Sequence, residues 1–148
     1  MKPAIKFGLI VGGVGLFLTA CVGFILGICG PVVALIAGGV AGFLTAREVR
    51  PYTKGDGAKE GGIAGGVAGA LTTVGQLIGG FSSILLAQVA GFSSPFGQIP
   101  TFDGPTAELV GYYIGGLLSG GCIGLVGLLL AAGAGALAGY LATEQTSV

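Results

Sequence analysis

Four long apolar segments, separated by short polar ones, make up most of the chain. The first run extends from Phe7 to Cys29 and the second from Val32 to Ala46, and neither contains a charged residue. Two longer uncharged runs follow, from Gly61 to Gly91 and from Leu109 to Ala142. Because a helix needs about 20 apolar residues to cross a bilayer, this pattern predicts an all-α integral membrane protein with four transmembrane helices.

The polar segments divide these runs into two helical hairpins. The first hairpin covers residues 4–48, and the second covers residues 61–145 with a loop at 92–106 that contains Pro and Gly. The connecting segment 47–60, REVRPYTKGDGAKE, holds seven of the twelve charged side chains. We therefore predict one transmembrane domain over residues 1–148, with residues 47–60 as a loop at the membrane surface.

The runs of the second hairpin are too long for a simple crossing. As helices, residues 61–91 and 109–142 would reach roughly 45–50 Å, against a hydrocarbon core of about 30 Å. Three solutions are open: strong tilting, projection beyond the membrane, or folding of the last run into two short segments that break at Gly120-Gly121.

The two hairpins begin with similar sequences. Residues 6–20 (KFGLIVGGVGLFLTA) and 59–73 (KEGGIAGGVAGALTT) are identical at eight of fifteen positions, and residues 38–48 (GGVAGFLTARE) resemble 135–145 (GALAGYLATEQ). This pattern predicts two parallel repeats, with the second hairpin longer than the first, related by an axis along the membrane normal. Similarity by chance between Gly-rich segments is the alternative.

Small residues recur four positions apart along all the predicted helices. Glycine accounts for 33 residues, and in lipid this spacing is typical of faces on which helix backbones approach closely. We therefore predict glycine-stripe packing or association through Gly8, Gly12, Gly38, Gly42, Gly61, Gly65, Gly69, Gly111, Gly115, Gly135 and Gly139.

Composition and charge agree with a lipid environment. Hydrophobic residues make up 53% of the chain and charged residues 8%, whereas a soluble domain carries about a quarter charged residues. The net charge is zero, so nothing favours nucleic acid as a partner. All six basic residues lie at the N-terminus or in segment 47–60, which the positive-inside rule therefore places in the cytoplasm, with loop 92–106 on the other side.

No set of residues in the sequence carries recognisable chemistry. Histidine is absent, which removes the commonest general base and metal ligand, so we expect no enzyme activity, no cofactor and no metal. Gln76 is predicted to hydrogen-bond across helices, or to line a pore if several copies form a channel or small-solute carrier. The other polar candidates within the runs are Thr19, Thr72, Thr73, Ser82, Ser83 and Gln88.

The three cysteines lie in or beside apolar runs. Cys21, Cys29 and Cys122 are each expected to behave as a small hydrophobic side chain, and pairing of Cys21 or Cys29 with Cys122 is the alternative. Residues 18–21 (LTAC) also resemble the lipobox of bacterial lipoproteins, which would make Cys21 a lipidated residue. The residues after Cys21 are apolar rather than a polar tether, which argues against this second alternative.

Two short patterns resemble a known group of proteins. The matching segments are residues 38–45 (GGVAGFLT) and 56–66 (DGAKEGGIAGG). Through them the chain resembles a family of small Gly-rich four-helix membrane proteins of prokaryotes, whose function is unknown. The resemblance covers mainly residues 6–75 and implies a prokaryotic cytoplasmic (inner) membrane. It implies no activity.

The expected function follows from two features of the predicted helices: they carry more small-residue surface than their own packing needs, and they contain no polar site. We expect a non-enzymatic structural or accessory subunit that associates with itself or with a larger membrane complex. Phe92, Phe96 and Phe102 make the 92–106 loop apolar, which would suit contact with a partner.

Overall fold

The computed structural model describes residues 2–23, 30–90 and 106–145, and the regular structure within them is entirely helical. The four helices are α1 (Pro3–Gly23), α2 (Gly30–Val49), α3 (Lys54–Ala90) and α4 (Thr106–Gln145). Each is long and apolar enough to cross a membrane. The predicted all-α architecture and helix number are thus confirmed over the described residues. Phe92, Phe96, Phe102 and Cys29 lie outside them.

The connection between the hairpins is much shorter than the predicted loop at 47–60. Helix α2 continues to Val49 and α3 begins at Lys54, so most of that segment is helical. Thr53 explains the early start of α3, because its Oγ1 accepts the Asp56 N–H at 3.1 Å and donates to the Asp56 carboxylate at 2.6 Å. This side-chain cap also places a carboxylate in the first turn, where the helix dipole favours it.

Helix α2 ends with a left-handed residue. The Arg50 N–H donates to the Ala46 carbonyl at 3.0 Å, and Arg50 has a φ of 46°, a conformation that glycine usually takes at this position. Pro51 follows directly and cannot continue the helix.

Helix α4 is continuous from Thr106 to Gln145, so the alternative of a break at Gly120-Gly121 is wrong. Glycine weakens helices in water because it loses the most backbone conformational entropy on folding and leaves the backbone exposed to solvent. In an apolar environment the backbone groups must be satisfied within the helix, and a glycine pair alone does not end it.

The helices pack as two parallel pairs. Gly8 lies against Ala64 and Gly12 against Ala68, so α1 and α3 run in the same direction. Likewise α2 runs parallel to α4, since Gly38 lies against Ala131 and Gly42 against Gly135.

The remaining contacts set the order of the helices around the bundle. Helix α3 packs on α4, and α2 touches both α1 and α3, but within the described part of the chain α1 and α4 make no contact. A two-fold axis along the membrane normal would exchange α1 with α3 and α2 with α4. The observed contact between α2 and α3 would then require an equivalent contact between α4 and α1. The expected axis is therefore wrong, and the second hairpin lies beside the first as if shifted sideways.

Small side chains fill the interior, and large apolar side chains cover the outside. The core cluster consists of alanines at positions 4, 37, 41, 64 and 68, packed by Val11. The largest fully buried side chains are threonines, whereas Phe17 and Leu129 are each 69% exposed. This distribution is expected for helices in lipid, where tight packing rather than hydrophobic burial holds helices together.

The second hairpin extends well past the first. Gly79 lies against Ala20 near the end of α1, and Gly127 lies against Pro31 near the start of α2. Among the described residues, only α3 and α4 continue beyond this level, where the rings of Phe81 and Tyr113 lie 5.9 Å apart between centroids. The described part of the second hairpin is therefore longer than that of the first, and strong tilting and projection beyond the membrane stay open as predictions.

Replacement of Gly135 by alanine should destabilise the bundle. A β-carbon there would lie 2.5 Å from the Gly61 carbonyl oxygen, 2.9 Å from Gly65 Cα and 3.0 Å from the Gly38 carbonyl oxygen, so two helices would have to move. Overpacking of this kind costs about 1–3 kcal/mol. We expect a lower Tm for Gly135→Ala in detergent, measured by circular dichroism.

Gly133→Ala is the matched control two residues away. A β-carbon at Gly133 meets nothing within 4 Å, and alanine is the better helix former by about 1 kcal/mol. This variant should keep or raise the Tm, and equal Tm values for the two variants would contradict the packing described above.

Candidate functional site

Most of the glycines predicted to pack helices lie at backbone contacts. Nine of the eleven would place a β-carbon within about 3 Å of a neighbouring helix. They are Gly8 and Gly12 on α1, Gly38 and Gly42 on α2, Gly61, Gly65 and Gly69 on α3, and Gly135 and Gly139 on α4. These positions are occupied by contacts within the bundle and leave no room for a partner.

The other two predicted glycines face outward. Gly111 and Gly115 on α4 are exposed, and a β-carbon at either would meet no described atom within 4 Å. Ser119 and Cys122 continue this row at helical spacing and are also exposed. The outer face of α4 therefore carries a row of small residues that no other described residue covers, which we call the α4 outer row.

Gln76 is half-buried, and its amide nitrogen lies inside the bundle. Its Nε2 is buried without a hydrogen-bond partner among the described residues, and the amide packs directly against Gly30, the first residue of α2. The predicted hydrogen bond across helices is therefore not formed by this nitrogen.

Two threonines make the polar contacts between helices that were expected of Gln76. Thr19 Oγ1 on α1 lies 2.8 Å from the Gly15 carbonyl of its own helix and 3.2 Å from the Thr72 carbonyl of α3. Thr73 Oγ1 on α3 lies 3.2 Å from the Gly124 carbonyl of α4. Both threonines were candidates from the sequence, and small residues in the facing helix are what let the hydroxyl reach a backbone carbonyl.

Cations lie over aromatic rings at the end of the bundle where α2 ends and α3 begins. The Arg47 guanidinium carbon is 4.7 Å from the centroid of the Phe43 ring, and Lys54 Nζ is 5.3 Å from that of Tyr140. Sequence reasoning did not identify these pairs. The four-residue spacing from Phe43 to Arg47 was a usable signal, but the pairing of Lys54 with Tyr140 depends on the tertiary structure.

An apolar cavity of about 60 Å³ lies between α3 and α4 in the extended part of the second hairpin. Its lining consists of Leu77, Gly80, Phe81, Tyr113, Gly116 and Leu117. Ligand pockets usually measure about 300–1,000 Å³, so this cavity has room for a few methylene groups and not for a small-molecule substrate.

The two described cysteines face outward. Cys21 and Cys122 are free and exposed, so they do not pair with each other, and Cys29 lies outside the described residues. Both therefore lie at the outer surface of the bundle rather than in its core. Helix α1 runs through Cys21 to Gly23.

Comparison with known proteins identified no relative of this chain. No family model matches the chain, and no curated protein or solved structure matches it significantly. The resemblance to small Gly-rich prokaryotic membrane proteins stays a prediction.

Removal of the Gln76 amide should not destabilise the protein. A buried polar group without a partner costs about 1–3 kcal/mol, and methionine has a similar length without polar hydrogens. Gln76→Met should therefore keep or raise the Tm in detergent.

Thr19→Val provides the contrast, because it removes a hydroxyl that has partners while preserving shape. Such interhelical bonds contribute about 0.6 kcal/mol on average, so a small decrease in Tm is expected. A decrease for Gln76→Met larger than that for Thr19→Val would show that the amide has a partner.

Proposed function

We propose that this protein is a non-enzymatic multi-pass membrane protein that serves as a structural or accessory subunit. It associates, with itself or with another membrane protein, through the outer face of α4. The observation that carries this proposal is the open space at Gly111 and Gly115, where an added β-carbon would meet no described atom of the chain within 4 Å.

The contacts inside the bundle support this use of the outer row. Glycines four residues apart in the bundle interior have a neighbouring backbone directly on them, as Ala131 lies on Gly38 and Gly135 on Gly42. The α4 outer row has the same spacing and no covering helix among the described residues. In lipid, where apolar bulk alone gives no driving force between helices, a smooth row of this kind is the surface that brings two backbones together.

The orientation follows from the basic residues. Gly57 packs on Gly139 and Gly8 on Ala64, so the start of α1, the start of α3 and the end of α4 lie toward the same end of the bundle. All six basic residues belong to this end. We place it in the cytoplasm, in the inner membrane of a prokaryote as the resemblance implies, with the apolar 92–106 loop on the opposite side.

The repeat is supported by one contact between equivalent residues. Thr19 and Thr72 align in the two similar segments, and the Thr19 hydroxyl reaches the Thr72 carbonyl. Side-by-side duplication of one hairpin would produce such a contact.

The alternatives from the sequence have less support. A pore between copies would need Gln76 at an outer surface, and its amide nitrogen is buried against Gly30. The channel hypothesis would be excluded if liposomes that contain the protein showed the same flux of ions and small neutral solutes as empty vesicles. Lipidation at Cys21 would be revealed by the intact mass of the purified protein.

Oxidative cross-linking through Cys122 tests self-association. In a Cys21→Ala, Cys29→Ala background, copper phenanthroline in native membranes should produce a covalent dimer, because Cys122 lies on the same outer face as Gly115. Gly115→Leu should reduce the dimer several-fold, since its side chain would separate the two backbones.

Gly13→Leu is the control, because Gly13 on α1 is equally exposed and equally open. It should leave cross-linking unchanged. A strictly monomeric mass in mild detergent, with no co-purifying membrane protein, would contradict the proposed function.

A further inference from the structure

The two cation–ring pairs occupy matching places in the two hairpins. Phe43 and Tyr140 align in the similar segments 38–48 and 135–145, and each ring has a cation over its face at 4.7 or 5.3 Å. Both rings lie within about two turns of the C-terminal end of their helix, at the end of the bundle that carries all the basic residues.

The cations themselves come from different places in the chain. Arg47 lies four residues after Phe43 in α2, but the residue aligned with Arg47 in the second hairpin is Glu144. The ring of Tyr140 receives its cation from Lys54, the first residue of α3. The same chemical group is thus assembled twice by different routes, although an exposed cation–π contact contributes little to stability.

The surroundings of the pairs match the headgroup layer of a membrane. Arg47 and Lys54 are exposed, and Tyr52 between them in sequence is fully exposed. Aromatic rings concentrate at the boundary between hydrocarbon and headgroups, and the long stems of Arg and Lys extend from apolar surface toward phosphate.

Basic residues outnumber acidic ones at this end of the bundle. Six basic residues belong to it, against four acidic ones: Glu48, Asp56, Glu60 and Glu144. The excess of positive charge favours an anionic partner at this end.

We propose that the Arg47–Phe43 and Lys54–Tyr140 pairs bind the headgroups of anionic phospholipids in the cytoplasmic leaflet. The cation holds the phosphate, and the ring packs against the glycerol and upper acyl carbons beneath it. Basic residues next to a membrane helix are attracted to anionic lipid, and a guanidinium binds phosphate through two parallel hydrogen bonds. This inference rests on the proposed function, because it requires the helices to lie in a membrane.

Competition between lipids tests the proposal. The purified full-length protein in non-ionic detergent is mixed with equal amounts of dioleoyl phosphatidylglycerol and dioleoyl phosphatidylcholine, and retained lipids are counted by native mass spectrometry. The wild type should retain the anionic lipid in several-fold excess. Arg47→Gln and Lys54→Gln should each remove most of that excess, and Arg47→Lys and Lys54→Arg should preserve most of it.

Lys59→Gln is the control, because Lys59 is an exposed cation of the same end with no ring beneath it among the described contacts. It should change the excess less than either pair variant. An equal loss for Lys59→Gln, or no preference in the wild type, would overturn the proposal. Displacement of the bound lipid by millimolar inorganic phosphate would overturn it too, because the site would then take free phosphate.

A separate measurement distinguishes failure of the headgroup-binding proposal from failure of the proposed function. Extraction of native membranes with alkaline carbonate leaves an integral protein in the pellet, whatever its lipid preference. Release of the protein into the supernatant would overturn both proposals, whereas a pelleted protein without anionic preference would overturn only the headgroup sites. Tm values of all variants, measured in the same detergent, show that the fold is retained.

Discussion

Direct contact between helix backbones at glycine is the interaction on which this structure depends. Gly135 is the clearest case, because its Cα surface touches α3 at Gly61 and Gly65 and α2 at Gly38. Three helices therefore meet at one position that has no side chain. Helices with ordinary side chains pack about 8–10 Å apart, and at that separation the four helices would lose the many weak dispersion contacts that hold them. The sideways arrangement of the hairpins follows from these rows of contact.

The same close approach determines which polar groups are used. Thr19 and Thr73 can each reach a carbonyl in the neighbouring helix, because small residues on the facing surface leave the backbone accessible. Thr45 and Thr143 are buried and bond to their own helices at Ala41 and Gly139. Burial of a hydroxyl that has a hydrogen-bond partner costs little free energy, whereas burial without a partner costs as much as a lost hydrogen bond. The bundle interior therefore accepts threonine, while the close approach of the helices leaves almost no room for larger side chains.

The positions of the helices along the chain could be predicted well from the sequence, but which helix packs against which could not. Long uncharged runs determine where a helix can lie in lipid, so the four helices and their approximate positions could be derived. The glycine spacing identified contact faces but not which helix covers them, and for that reason Gly111 and Gly115 could not be told apart from Gly61 and Gly65. The helical character of residues 54–60 was missed because glycine-rich charged sequence normally indicates a loop, and the cap from Thr53 overrides that preference.

Polar residues were the least predictable part. Gln76 was the obvious candidate for an interhelical bond, yet its nitrogen faces Gly30 without a partner among the described residues, because burial against the start of α2 depends on how the hairpins stack. The pairing of Lys54 with Tyr140 likewise joins residues that no local pattern connects. Both depend on the relative position of the hairpins, which the sequence alone did not determine.

In a bilayer, the unequal lengths of the helices would also affect the surrounding lipid. Helix α2 has 20 residues and α4 has 40, so one flank of the molecule matches a hydrocarbon slab of about 30 Å and the other is roughly twice as tall. Acyl chains beside α4 would stretch while those beside α2 stay relaxed, and the bilayer thickness would vary around a single molecule. Mismatch of this kind has a modest energetic cost for each ångström, and it would draw molecules together along their taller flanks even before any residue of one touched another.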